Sequence, residues 1–165
     1  MAKIADQIEN TLKSNDWNYE RHYNDEDKYD VFIFGIRGEN VHIRVHIIVD
    51  EEMERYMVRC FPDWYVPKNL REEAMKILNK LNGARWLTRG SIDPEDGELV
   101  FVSTVICSGV KLSDKSIDLI INTNIGVTDD ETMEIMKGVF GNDNSSASPA
   151  SSPEPTLPWT PRSDN

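Results

Sequence analysis

Cysteine is scarce in this chain: Cys60 and Cys107 are the only two among 165 residues. A small secreted scaffold held by disulfides carries more, so two buried, reduced thiols in a cytoplasmic protein are expected. No apolar run reaches the ~18 residues that would span a bilayer. The first residues, Met1 to Gln7, bring in Asp6 early and hold no long apolar segment, so no signal peptide is expected. Positive charge is short as well. Lys and Arg number 18 against 29 Asp and Glu, a net charge of −11. Such a surface repels phosphate, and the basic residues are scattered along the chain. Neither nucleic acid nor an anionic membrane is expected as a partner.

Several reaction chemistries lack their residues. His42 and His46 stand four apart, a metal-ligand spacing on a helix, but the alternation of Val41, Ile43, Val45 and Ile47 marks a strand. At the rise of an extended strand the two rings lie ~13 Å apart on one face, too far for one metal. With Arg44 they read as the polar side of a half-buried strand, or as a small cationic stripe that receives an acidic partner. Asp93, Glu95, Asp96 and Glu98 crowd around Gly97, yet the loop is too short for a calcium-binding EF-hand, and its twelfth position is Thr104. Pro94 and Asp96-Gly97 account for that segment as a turn. Asp50-Glu51-Glu52 with Glu54 reads as a solvated loop, without the burial that sets two carboxyl pKa values apart. No Lys-Ser or Lys-Thr follows Gly35 and Gly38 as a phosphate loop requires. No serine stands in a nucleophile elbow. No catalytic residue, metal or cofactor is assigned, and a non-enzyme is expected.

The elements themselves are well marked. Ile4, Ile8 and Leu12 form a helical stripe that ends at Asn15-Asp16. Trp17 to Tyr23 reads as a short strand, followed by the charged loop Asn24 to Lys28. Val31 to Arg37 and Val41 to Val49 are rich in β-branched and aromatic residues and pair across Gly38-Glu39-Asn40. Tyr56 to Phe61 is the next strand. Asn69 with Glu72 has the spacing of a capping box, opening a helix striped by Leu70, Ala74, Ile77, Leu78 and Leu81 and stopped by Asn82-Gly83. Arg85 to Ile92 and Leu99 to Cys107 pair across the Asp-Gly turn. Leu112-Ser113 opens a last helix, which Gly126 to Thr128 is expected to break in two. The order α-β-β-β-α-β-β-α specifies an α+β domain, an antiparallel sheet with helices on at least one face.

From Asn142 onward the composition changes: six of the last 24 residues are Ser and five are Pro. This segment cannot bury enough apolar surface to offset its ordering entropy. Residues 1–141 are therefore expected to form the domain and 142–165 a disordered tail. Within the tail Leu157-Pro158-Trp159 is the one apolar anchor, and it serves either an inert linker or a docking motif.

The stretch Val66-Pro67, the helix ending Leu78-Asn79-Lys80-Leu81-Asn82, the segment Gly90-Ser91-Ile92-Asp93-Pro94-Glu95-Asp96-Gly97-Glu98 and the helix start Leu112-Ser113 together resemble a YbjN-family domain. That bacterial family is labelled as sensory transduction regulators. The resemblance runs from about Ile4 to Gly138 and leaves the tail outside. It implies a fold similar to type III secretion chaperones, a curved antiparallel sheet with packed helices, often dimeric, that binds extended amphipathic segments of client proteins. It carries over no catalytic residue.

The strands are apolar on both sides. Phe32, Phe34 and Ile36 oppose Val31 and Ile33, and Val100, Val102 and Ile106 oppose Leu99, Phe101 and Val105. Either the helices cover both faces of the sheet, or one face is an interface. The expected partner-binding residues are Phe32, Phe34, Ile36, Val100, Val102 and Ile106, with Trp159 on the tail. The expected function is a non-enzymatic, chaperone-like or regulatory protein-binding domain, working as a homodimer on a client segment or a regulatory partner. The alternative is a small-molecule-sensing or enzymatic domain with a pocket between helix and sheet.

Overall fold

A computed structural model describes residues 3–141. The expected tail, Trp159 included, lies outside the described residues. Helix α1 (Ile4–Ser14) buries Ile4, Ile8 and Leu12, and the chain turns at Asp16 with φ of 54°. Four strands follow: β1 (Glu20–Asn24), β2 (Tyr29–Arg37), β3 (His42–Asp50) and β4 (Arg55–Pro62). Helix α2 (Arg71–Ala84), strands β5 (Arg89–Ile92) and β6 (Leu99–Ile106), and helix α3 (Asp114–Phe140) complete the chain. One six-stranded sheet results, in the order β1-β2-β3-β4-β6-β5, and every pairing is antiparallel. The architecture is the expected α+β layer; the short strand expected over Trp17 to Tyr23 is the exposed edge strand β1, shifted to Glu20–Asn24. Ahead of it, Trp17 and Tyr19 turn their rings edge-on to Phe34 and Phe32.

The register sorts the side chains, since directly paired residues share a face of the sheet. Phe32, Ile47, Val58 and Ser103 form one row, and Phe34, Val45, Cys60 and Phe101 the next. All eight are buried. Helix α3 lies over β3, β4 and β6, with α1 and α2 packed against it. All three helices therefore cover the same face, and the core is the single layer between them and the sheet. Both cysteines are free and buried there. Burial pushes the Cys60 thiol up to about 12, so it stays protonated and inert.

Several helix boundaries differ from the expected ones. Asn69 sits in a 3-10 turn (Lys68–Leu70), and no side chain caps α2. Gly83 stays helical. The Asn82 side chain instead grips the edge strand, donating to the Gly90 carbonyl at 2.9 Å and accepting from the Gly90 N–H at 2.8 Å. β5 then starts only at Arg89. At Gly90 a side chain has no room, since a Cβ would come within 2.6 Å of Leu78. The Asp93–Gly97 turn forms as expected, with Gly97 at φ of 86°.

Helix α3 is capped by Ser113, whose hydroxyl accepts from the Ser116 N–H while the Ser116 hydroxyl accepts from the Ser113 N–H. It does not break at Gly126–Thr128. Thr128 is buried within it and donates to the Asn124 carbonyl at 2.7 Å, which satisfies the hydroxyl inside the helix. Asn124 in turn donates to the Val58 carbonyl at 2.8 Å, tying helix to sheet. Asp129 does the same for the β2–β3 hairpin. Its carboxylate accepts from the N–H groups of Glu39 (3.1 Å), Asn40 (3.0 Å) and Val41 (2.9 Å), and from the Asn40 amide (2.8 Å). A Cβ on Gly38 would collide with this carboxylate, so glycine is required there.

Candidate protein-binding face of the sheet

The second face of the sheet carries no helix among the described residues. Its rows follow from the same register. Ile33, His46, Arg59, Val102 and Arg89 run across β2, β3, β4, β6 and β5. On one side lie Gly35, Arg44 and Phe61; on the other Val31, Ile48, Met57 and Thr104. The aliphatic members are half-buried by their neighbours rather than by a covering layer, and Ile106 at the end of β6 is 72% exposed.

Charge is concentrated here. Strand alternation brings Arg37, Arg44, Arg55, Arg59 and Arg89 to this face, together with His22, His42 and His46. The fold thus brings together basic residues that are scattered along the sequence, and the same register brings the acids Glu20 and Asp50 to this face. At its centre Phe61 is a buried platform. The guanidiniums of Arg44 and Arg59 stand 4.9 and 5.1 Å from its ring centroid, and the His46 ring is 5.1 Å away. Such cation–π contacts hold the two arginines side by side. Burial, then the Arg44 and Arg59 charges, push the His46 imidazole below its usual range, with Glu98 opposing. The imidazole is thus neutral at physiological pH, chiefly because it is partly withdrawn from water. Arg44 is paired with Glu98 at 3.2 Å, and Glu98 also accepts from the Tyr65 hydroxyl at 3.1 Å. Arg55 is paired with Asp50 at 3.0 Å. Among the described residues Arg37, Arg59 and Arg89 have no ion pair.

A family model matches residues 5–130, under the description "YbjN: Putative bacterial sensory transduction regulator". The chain belongs to the YbjN family. No curated protein matches it at a significant level. Among solved structures, a chain in "Crystal Structure of the ExsC-ExsE Complex" is similar over 84% of this chain and 96% of that one, with a TM-score of 0.50 and 11% identity. The likeness is one of fold, and the architecture is the type III secretion chaperone-like one that the resemblance implied.

The expected contact residues of this YbjN domain do not share a face. Phe32 and Phe34, 0% and 5% exposed, lie under the helices with Tyr19 and Trp17, and Ile36 packs against the same core. They are core residues of the folded chain, placed there by the phase of β2. Val100, Val102 and Ile106 do reach the open face. Trp159 lies outside the described residues. Arg59 and Gly35, absent from the expected contact residues, also belong to this face. The alternation of Arg55, Met57 and Arg59 along β4 was there to be read, but which strand lies beside β4 was not.

Proposed function

We propose that this YbjN domain is a non-enzymatic protein-binding module with a regulatory or chaperone-like role, working as a homodimer in the cytoplasm. The observation that carries the reading is the half-covered sheet: an aliphatic and arginine-lined face, spanning four long strands and the short β5, over which no element among the described residues lies. Uncovered apolar sheet of that extent marks an interaction surface. The regulator family and the fold neighbour, taken from a complex of two proteins, support the same role. Trp86, 95% exposed beside Leu87 at the α2–β5 turn, supplies an aromatic anchor for self-association. A ligand pocket between helices and sheet has less support, because the buried polar side-chain atoms of the described residues are already hydrogen-bonded.

The test is affinity purification of the tagged chain from cells that express it, beside the double variant Val100→Asp, Ile106→Asp. Both positions face away from the core, so the variant keeps its melting temperature. A protein retained by the wild type and lost from the variant supports the reading. Equal retention by both would place binding elsewhere.

A further inference from the structure

Phe140, the last residue of α3, sets its ring 6.2 Å from that of Trp64, just past the end of β4. The described residues stop at Gly141, so the Ser/Pro-rich tail leaves the domain at this aromatic pair. Trp64 stands between Asp63 and Tyr65, and both line a cavity of about 380 Å³ that opens beside Gly35 and Arg44 of the uncovered face. Phe61 and Pro62 line it as well. Gly35 leaves it unfilled from β2, since a Cβ there would touch nothing within 4 Å. The Tyr65 and Phe140 rings are 50% and 54% exposed. Three aromatic residues thus run from the point where the tail departs to the cavity, and the outer two are left uncovered by the described residues.

We propose that the cavity receives the chain's own tail, with residues 153–162 laid along these rings and Trp159 seated in the cavity. The segment matches the surface in chemistry. Pro155-Thr156-Leu157-Pro158 and Pro158-Trp159-Thr160-Pro161 are two overlapping Pro-x-x-Pro repeats, and they hold the only bulky apolar residues after Gly141, Leu157 and Trp159. Proline at that spacing favours the left-handed extended helix that docks in aromatic-lined grooves at little ordering cost. Charge selects in the same direction. Asp63 and Glu98 line the cavity against one arginine, Arg44, which Glu98 already holds. The Asp63 carboxylate accepts from the His42 N–H at 3.2 Å and has no ion pair among the described residues. Arg162, the one basic residue of the tail, is nearer to Trp159 in sequence than any of the tail's acids, and it is placed to pair with Asp63. Reach is sufficient: the roughly eighteen positions from Gly141 to Trp159 span about 20–25 Å as a random coil and up to about 60 Å extended. Tethering also gives the tail a high effective concentration, which favours it over the same segment of a second copy or of another protein. The docked tail covers one end of the face assigned above to partners. Its docking requires no partner, so the two readings stand or fall separately.

The test is paramagnetic NMR on the full, isotope-labelled chain with a nitroxide attached at Ser163→Cys. Cys60 and Cys107 are buried, so the added thiol is the one that reacts. The amide signals of Asp63, Trp64 and Tyr65 are expected to be lost to broadening. The Leu119 amide, about 30 Å back along α3 from Phe140, is expected to be kept. Trp159→Ala in the spin-labelled chain is expected to restore the lost signals and Arg162→Glu to restore them in part; both lie in the tail, so neither acts by unfolding the domain. Gly35→Leu, which fills the cavity, is expected to restore them at an unchanged melting temperature. Signals kept from the start would leave the cavity to another protein and overturn the proposal. Equal loss at Leu119, or loss that persists in Trp159→Ala or in Gly35→Leu, would overturn it as well. A mixture of isotope-labelled wild type with spin-labelled chain carrying no isotope is expected to keep every signal. Loss there would give the cavity to the tail of a second copy and overturn it too.

Discussion

Replacing Asp129 with Ala should cost the fold more than any other single polar change in α3, and the cost should depend on pH. Asp129 is 5% exposed and is the only acceptor shown for the N–H groups of Glu39 and Asn40 at the tip of the β2–β3 hairpin. A hydrogen bond to a charged group is worth about 1.5–3 kcal/mol when its partner would otherwise stay buried and unpaired. Glu39 and Asn40 are exposed, so water can replace part of what is lost, and the expected total is about 2–4 kcal/mol rather than the sum over four donors. For a domain of this size that corresponds to a fall in melting temperature of roughly 6–16 °C. Burial raises the Asp129 pKa, but the N–H groups of Val41, Asn40 and Glu39 and the Asn40 amide outweigh it and hold the carboxyl below its usual range. A depressed folded-state pKa means the contribution is fully present above the unfolded value, about 3.9, and is lost as pH falls through the folded one. Urea denaturation of wild type and Asp129→Ala at neutral and acid pH measures this directly. The difference should be largest at neutral pH and shrink in acid. A difference under about 0.5 kcal/mol at neutral pH, within the range of an ordinary surface change, would refute the clamp. So would one that does not change with pH.

Four further outcomes are expected. Gly38→Ala should destabilise by displacing the Asp129 carboxylate, and combined with Asp129→Ala it should add little more, a non-additivity that denaturation of the double variant reads. Gly97→Ala should cost about 1–3 kcal/mol by urea denaturation, because φ of 86° strains any L side chain and a Cβ would meet the Val66 carbonyl. Phe34→Asp should abolish folding by circular dichroism, since it buries a charge against Trp17, whereas Ile106→Asp should leave the melting temperature unchanged. Light scattering behind size exclusion should give a dimer mass for the wild type and a monomer mass for Trp86→Asp; a monomeric wild type would remove the dimer from the account.

The strands and helices were legible because their periodicities are clean: every fourth residue in α1, every second in β2 and β3. Helix ends were less so. Asn82 has the chemistry of a stop signal, yet its side chain is used across space, on Gly90, and residue type alone does not distinguish the two uses. Gly126 to Thr128 reads as a break because glycine weakens a helix and the Thr128 hydroxyl suits an N-cap. The fold buries Thr128 and Asp129 and satisfies both, the first inside the helix and the second on a hairpin about ninety positions away. The same limit applied to the candidate face. Alternation shows that β2 has two apolar sides but not which side the helices take, so Phe32 and Phe34 were grouped with Val100 and Val102 from the opposite side. The arginine cluster needs the strand order β2-β3-β4-β6-β5, which depends on β6 inserting between β4 and β5. Nothing local in the sequence encodes that insertion.

The central claim is that the uncovered face of the sheet is where this YbjN domain meets other proteins. The most direct measurement places a photo-crosslinking amino acid at Val102 on that face, and at Leu119 on the outer side of α3 as a control, in cells that express the chain. The account predicts a discrete protein adduct from position 102 and none from position 119, identified by mass spectrometry of the adduct. Irradiation that leaves position 102 unmodified, or marks both positions equally, would contradict it.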